Sequence, residues 1–142
     1  MPNPSPRRHT IADLLRRTRQ RYPGRTAIRC GSVAWTYAEF DDTCSRLAAG
    51  LAGLGVAPGE RVAVVSRNSH AFAALRYAVA RLGAVLVPIN FMLNAEEVHY
   101  ILDHAGATVL CVDTASASVA LQAAQGTAVR HRVWLPAEDP SD

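Results

Sequence analysis

The chain has 142 residues, of which 49% are hydrophobic and 19% charged, a composition suited to one globular domain with a real core. Its formal net charge is +3, and all 15 basic residues are arginine, so any chemistry that needs a lysine has no residue to perform it here. The longest purely apolar run, residues 82–89, is much too short to span a bilayer, which excludes a membrane-crossing segment.

Residues 1–9 carry three prolines and read as a disordered lead-in. Arg7 and Arg8 evoke an export signal, but residues 10–21 carry charge on most turns where an uninterrupted apolar segment would be required. An arginine-rich presequence stays open as an alternative for this stretch. Thr10 caps a predicted surface helix whose residues Ile11, Leu14, Leu15 and Thr18 follow the i, i+3, i+4, i+7 rule, up to the Pro23-Gly24 breaker. Arg16, Arg17, Arg19 and Arg21 read as a solvated helix face, because no aromatic residues interleave with them to stack on bases; no nucleic-acid partner is expected.

Residues 26–30 and 33–35 predict a β-hairpin around Gly31-Ser32. Thr36 and Glu39 form a capping box that opens a long helix. Phe40, Cys44, Leu47, Leu51 and Leu54 make one stripe along it, and Gly55 stops it. A β-branched strand follows at 61–66, and then a helix capped by Asn68 or Ser69 that runs to about Leu82 and is apolar nearly all round, so it must be covered on more than one side. Residues 84–89 predict the next strand, 95–104 a helix, 108–113 a strand, 114–125 a helix and 132–135 a last strand, while 136–142 read as a flexible acidic tail. Strands alternating with helices, each strand lacking a polar face, predict α/β architecture: βαβ units around a parallel sheet, helices on both faces, preceded by the first helix and the short hairpin.

Tests for chemistry fail one after another. Gly53-Leu54-Gly55 ends a helix where a dinucleotide motif must open one, the phosphate loop needs an absent lysine, and no G-x-S-x-G elbow occurs. His99 and His104 lie five apart, the wrong spacing for a zinc pair; His99 reads as solvent-facing and His104 as a last-turn cation. His70 could approach a ligand at a strand end, but reads more simply as a surface residue of a first helical turn. Asp41 and Asp42 read as charges complementing a helix dipole. Cys30, Cys44 and Cys111 read as buried thiols of a reduced, cytoplasmic protein.

Two stretches, TYAEFDDTCSRLAAGLAGLGVAPGERV at 36–62 and RVAVVSRNSHAFAALRYAVARLGAVLVPINFMLNAEEVHYILDHAGATVLCVD at 61–113, resemble the N-terminal subdomain of the adenylate-forming superfamily of acyl-CoA synthetases, aryl-CoA ligases, peptide-synthetase adenylation domains and luciferases. Thr36 to Glu39, Gly55 to Val62, Asn68-Ser69, Gly83 to Asn90 and Glu96-Glu97 carry the match. Asn-Phe-Met-Leu-Asn at 90–94 resembles the fatty-acyl branch, whereas Ala71 departs from an acidic residue common elsewhere. The resemblance implies that residues 10–135 are the N-terminal subdomain of a larger enzyme that uses ATP, magnesium and CoA to turn a carboxylic acid into its acyl-CoA through an acyl-adenylate. The family's phosphate loop, its adenine and magnesium motifs and its C-terminal catalytic lysine lie beyond the matched region. No catalytic, cofactor or metal residue is therefore carried over, and the chain by itself is expected to be inactive.

Within 90–98, Asn94 with Glu97 forms a capping box and Leu93 with Val98 a hydrophobic staple. That leaves the loop Asn90, Phe91, Met92, which the resemblance places where the subdomain meets the remainder of the adenylation domain, on the same or a separate chain. A ligand-proximal role near CoA or the acyl chain is the alternative for this loop. The rival for the whole chain is a non-catalytic interaction or regulatory module that uses its apolar surface to bind a partner.

Overall fold

The computed structural model of the chain describes residues 10–137. Helix α1 (Ile11–Arg21) is followed by the strands β1 (Thr26–Cys30) and β2 (Val33–Thr36), helix α2 (Tyr37–Gly53), strand β3 (Arg61–Val65), helix α3 (His70–Arg81), strand β4 (Val85–Ile89), helix α4 (Ala95–Ala105), strand β5 (Val109–Val112), helix α5 (Ala117–Ala123) and strand β6 (His131–Trp134). The lead-in expected over 1–9, and the part of the expected tail from 138 onward, lie outside the described residues.

Local chemistry sets the helix starts. Thr36 Oγ1 accepts from Glu39 N–H at 3.2 Å while the Glu39 carboxylate accepts from Thr36 N–H at 2.8 Å, so each residue satisfies a backbone donor that the first turn leaves free. Asn94 and Glu97 do the same at α4, both at 3.0 Å, and Thr10 with Asp13 at α1. Ser69 alone caps α3, its hydroxyl accepting from Phe72 N–H. At the other end of α4, Gly106 adopts φ +61°, which its missing Cβ permits.

β1 and β2 pair antiparallel as a separate hairpin, and β4-β3-β5-β6 form a parallel sheet in that order. Alternation along β3 divides the core. Val62 and Val64 pack with Leu51, Leu75 and Val79 on the side covered by α2 and α3, while Ala63 and Val65 pack with Val98, Leu102 and Ala120 on the side covered by α4 and α5. Each wholly buried Leu or Val contributes about 1.5–3 kcal/mol, which is why a strand apolar on both faces settles in the middle of the sheet. A third cluster, Leu15, Phe40, Cys44 and Ala74 with Trp35 and Tyr77, joins α1 and the hairpin to the back of α2 and α3. That cluster supplies the cover the apolar circumference of α3 demanded.

Three expectations change. The helix expected over 114–125 is only Ala117–Ala123, because Asp113 Oδ1 accepts from Ser116 N–H and holds 114–116 as a turn. The edge strands are not buried on both faces: β6 exposes Arg132 and Trp134, and β4, although apolar throughout, leaves Val85 exposed. In α1 only Leu15 is buried, and Ile11 and Leu14 face outward.

Candidate functional site

Parallel pairing brings the carboxyl ends of β3, β4 and β5 to one edge of the sheet. From β3 the chain moves through α3 to β4 on one side, and from β5 through α5 to β6 on the other, so the strand order reverses between β3 and β5. Doubly wound sheets bind ligands in the crevice at such a point. Here a carboxylate fills it.

Asp113, 1% exposed, accepts from Arg67 N–H at 2.8 Å and Ser66 Oγ at 3.2 Å through Oδ2, and from Ser116 N–H at 2.8 Å through Oδ1. Burial pushes its pKa up, but the hydrogen bonds from Ser116, Arg67 and Ser66 outweigh it and hold the carboxyl below its ordinary value. The group is a stitch between the β3–α3 and β5–α5 loops, with no oxygen left over for proton transfer. Reading the sequence missed it. The signal was available as an aspartate closing an otherwise apolar strand three residues before a serine, the spacing at which an aspartate caps a following turn.

The loop Asn90–Met92 leaves β4 at the same edge of the sheet. Asn90 Oδ1 accepts from Met92 N–H at 3.0 Å, and Asn90 O accepts from Leu93 N–H at 3.2 Å, which closes a turn and turns Leu93 back toward Val98. Phe91 and Met92 are left pointing outward, 47% and 79% exposed. The turn is held by its own hydrogen bonds and presents two large apolar side chains to solvent.

Three polar groups depart from their sequence readings. His70 is buried, not on the surface, because the hairpin folds over the start of α3 and sets the Trp35 ring edge-on to the imidazole at 5.1 Å. Asp41 is buried as well, and its role is ionic, not a matter of the helix dipole: it pairs with Arg81 and, at 2.7 Å, with Arg19, which reaches Asp42 at 2.5 Å. Arg19 thus belongs to a bridge joining α1, α2 and α3, while Arg16 pairs with Asp13 in its own helix. His99 is exposed as expected, yet its Nδ1 lies 2.8 Å from Ala123 O, and His104 stacks on Tyr100.

His70 also lines a groove of about 280 Å³ together with Trp35, Leu47, Ala71, Ala74, Trp134 and Leu135. None of Asn90, Phe91 and Met92 takes part in it. Among the described residues no three His, Cys, Asp or Glu side chains gather closely enough to hold a metal ion, and no helix is long and apolar enough to cross a membrane. The arrangement offers binding surfaces and fixed loops, and the Ser66 hydroxyl beside the Asp113 carboxylate is part of the stitch between the loops.

With this geometry in view, similarity to known proteins is informative. The family model described as AMP-binding enzyme matches residues 15–142. The chain is 45% identical over 87 residues to a long-chain-fatty-acid–CoA ligase of Mycobacterium tuberculosis, covering 61% of this chain and 17% of that protein. It is 44% identical over 88 residues to a feruloyl-CoA synthase of Amycolatopsis, covering 62% of this chain and 18% of that protein. Among solved structures, the N-terminal domain of FACL13 from Mycobacterium tuberculosis superposes with a TM-score of 0.84 at 35% identity, over 89% of this chain and 34% of that one. The chain spans less than a fifth of the length of the curated relatives it matches.

Proposed function

Because the chain belongs to the AMP-binding enzyme family, we propose that residues 10–135 are the N-terminal subdomain of an ATP-dependent acyl-CoA synthetase of the fatty-acyl branch, acting in the cytoplasm, and that the 142-residue chain is inactive alone. The observation that carries this reading is the superposition of nearly the whole described fold on one third of an N-terminal domain of a fatty-acyl relative. The Asn90 to Asn94 turn supports the fatty-acyl branch, and the unpaired thiols Cys30, Cys44 and Cys111 suit a reducing compartment.

The residues present do not fit ATP or magnesium. A triphosphate calls for free backbone N–H groups at a strand end, and at the switch point Arg67 N–H and Ser116 N–H already bond to the Asp113 carboxylate, which would also repel the phosphates. No step of adenylate or thioester formation is assigned to this chain. Its part in such an enzyme is to form one wall of the body and to dock, through Phe91 and Met92, against the remainder of the adenylation domain. The interaction-module reading uses the same two side chains for a separate partner, and their exposure is the observation that favours it.

Purified chain incubated with ATP, magnesium, CoA and a series of fatty acids is expected to release neither pyrophosphate nor acyl-CoA. Turnover by the chain alone would overturn the assignment of chemistry to the remainder.

A further inference from the structure

We propose that the outward side of α1, with the turn that follows it, is a docking surface for an anionic lipid bilayer. The helix carries four arginines against one aspartate, a formal charge of +3 that equals the charge of the whole chain, so all other acidic and basic residues balance. Arg16 is engaged by Asp13 and Arg19 by Asp41 and Asp42, whereas Arg21 makes no ion pair among the described residues. Just past the helix, the Arg25 guanidinium lies over the Tyr22 ring at 5.0 Å, and Tyr22 is half exposed. Arginine keeps its charge at every physiological pH, and a negatively charged lipid surface attracts each one that comes near it.

Two aliphatic side chains identify the occupant. Ile11 is 43% and Leu14 58% exposed, and only Leu15 of this helix is buried. Ile11, Leu14, Thr18 and Arg21 follow one another at steps of three, four and three, so they run along one side of the helix, and Arg17 stands three residues from Leu14 and four from Arg21. Aliphatic and cationic groups are therefore interleaved on the same exposed side. A protein interface gathers its apolar residues at the centre and keeps charge at the rim. The phosphates and sugars that dominate nucleic-acid contacts leave isoleucine and leucine unused. A bilayer boundary uses both at once: aliphatic ends enter the acyl region while guanidinium groups stay level with the headgroups, a depth that a tyrosine ring also favours. This inference does not rest on the synthetase reading, because none of its residues belongs to the docking turn or the switch point.

The test is co-sedimentation of the full chain with vesicles of phosphatidylcholine alone and of phosphatidylcholine mixed with phosphatidylserine. Binding is expected to the mixed vesicles only. It should fall by about tenfold or more when salt rises from about 0.1 M to about 1 M, which shortens the screening length from about 10 Å to about 3 Å. Arg21→Gln combined with Arg25→Gln should weaken it on the order of thirtyfold, and Ile11→Ser combined with Leu14→Ser on the order of tenfold. Both double variants should melt near the parent temperature, because the four side chains are exposed. Failure to bind the mixed vesicles, equal binding to the two vesicle types, undiminished binding by a folded Ile11→Ser, Leu14→Ser chain, or tighter binding to a DNA duplex than to the mixed vesicles would each overturn the proposal.

Discussion

Replacing Asp113 by asparagine changes one oxygen into an NH₂ group and leaves the shape intact, so its effect isolates the stitch between the two loops. The remaining oxygen still accepts from Ser116 N–H, but without charge, and the difference between a charged and a neutral bond is about 1 kcal/mol. On the other side the new NH₂ faces Arg67 N–H, donor against donor. The Ser66 hydroxyl has a second acceptor in Arg67 O at 2.8 Å, whereas Arg67 N–H loses its partner in a part-buried position. That orphaned group costs about 1–3 kcal/mol, giving a total of about 2–4 kcal/mol and a melting temperature lowered by roughly 6–12 °C for a chain of this length. Thermal melts of both proteins by circular dichroism, repeated from pH 7 to pH 3, measure it. The folded-state pKa of Asp113 is depressed, so its stabilisation is present above the unfolded value near 3.9 and is lost as pH falls through the folded one. The gap between parent and variant should therefore be full at pH 7 and shrink below about pH 4. A variant as stable as the parent at pH 7, or a gap that stays constant down to pH 3, would refute the reasoning.

Gly106→Ala should destabilise by about 1–3 kcal/mol, because the residue keeps φ +61° and a Cβ would stand 3.0 Å from Arg61 Nη2, itself held by Gly106 O; Gly50→Ala, exposed in the last turn of α2 with nothing within 4 Å of the new methyl, should stabilise by about 0.5–1 kcal/mol. Urea unfolding of the two variants checks both signs. Burial pushes the thiols of Cys44 and Cys111 up to about 12, so a disulfide reagent at pH 8 should label Cys30 in the native chain and reach the other two only in denaturant; fast native labelling of all three would contradict the packing. Phe91→Ser combined with Met92→Ser should leave the stability of the chain within about 0.5 kcal/mol by the same urea assay, while impairing association with the remainder of an adenylation domain in sedimentation experiments. A large loss of stability in the chain alone would mean that the two side chains pack internally.

The elements were legible because their signals are local. Thr36 with Glu39, and Asn94 with Glu97, announce their helices within a single turn, and the apolar run from Val62 to Val65 announces a strand buried on both faces before its neighbours are known. The outward loop at Phe91 and Met92 stood out for the same reason: once Leu93 is assigned to the staple with Val98, no nearby residue accounts for the other two.

Polar side chains whose partners are distant in sequence were misread, as Asp41 and His70 were, or missed, as Asp113 was. Asp41 meets Arg81 forty residues away, Asp113 meets Arg67 N–H forty-six residues away, and His70 is covered by a tryptophan of the hairpin. Hydrophobic period and capping depend on spacings of two to four residues, which a sequence displays directly. Whether an aspartate is a dipole complement or the hub of an ion-pair bridge depends on which elements the packed core brings alongside it. The sequence by itself determined the order of helices and strands, the parallel sheet and the family; tertiary packing alone decided which charges are buried, how the switch point is filled and where a groove is left open.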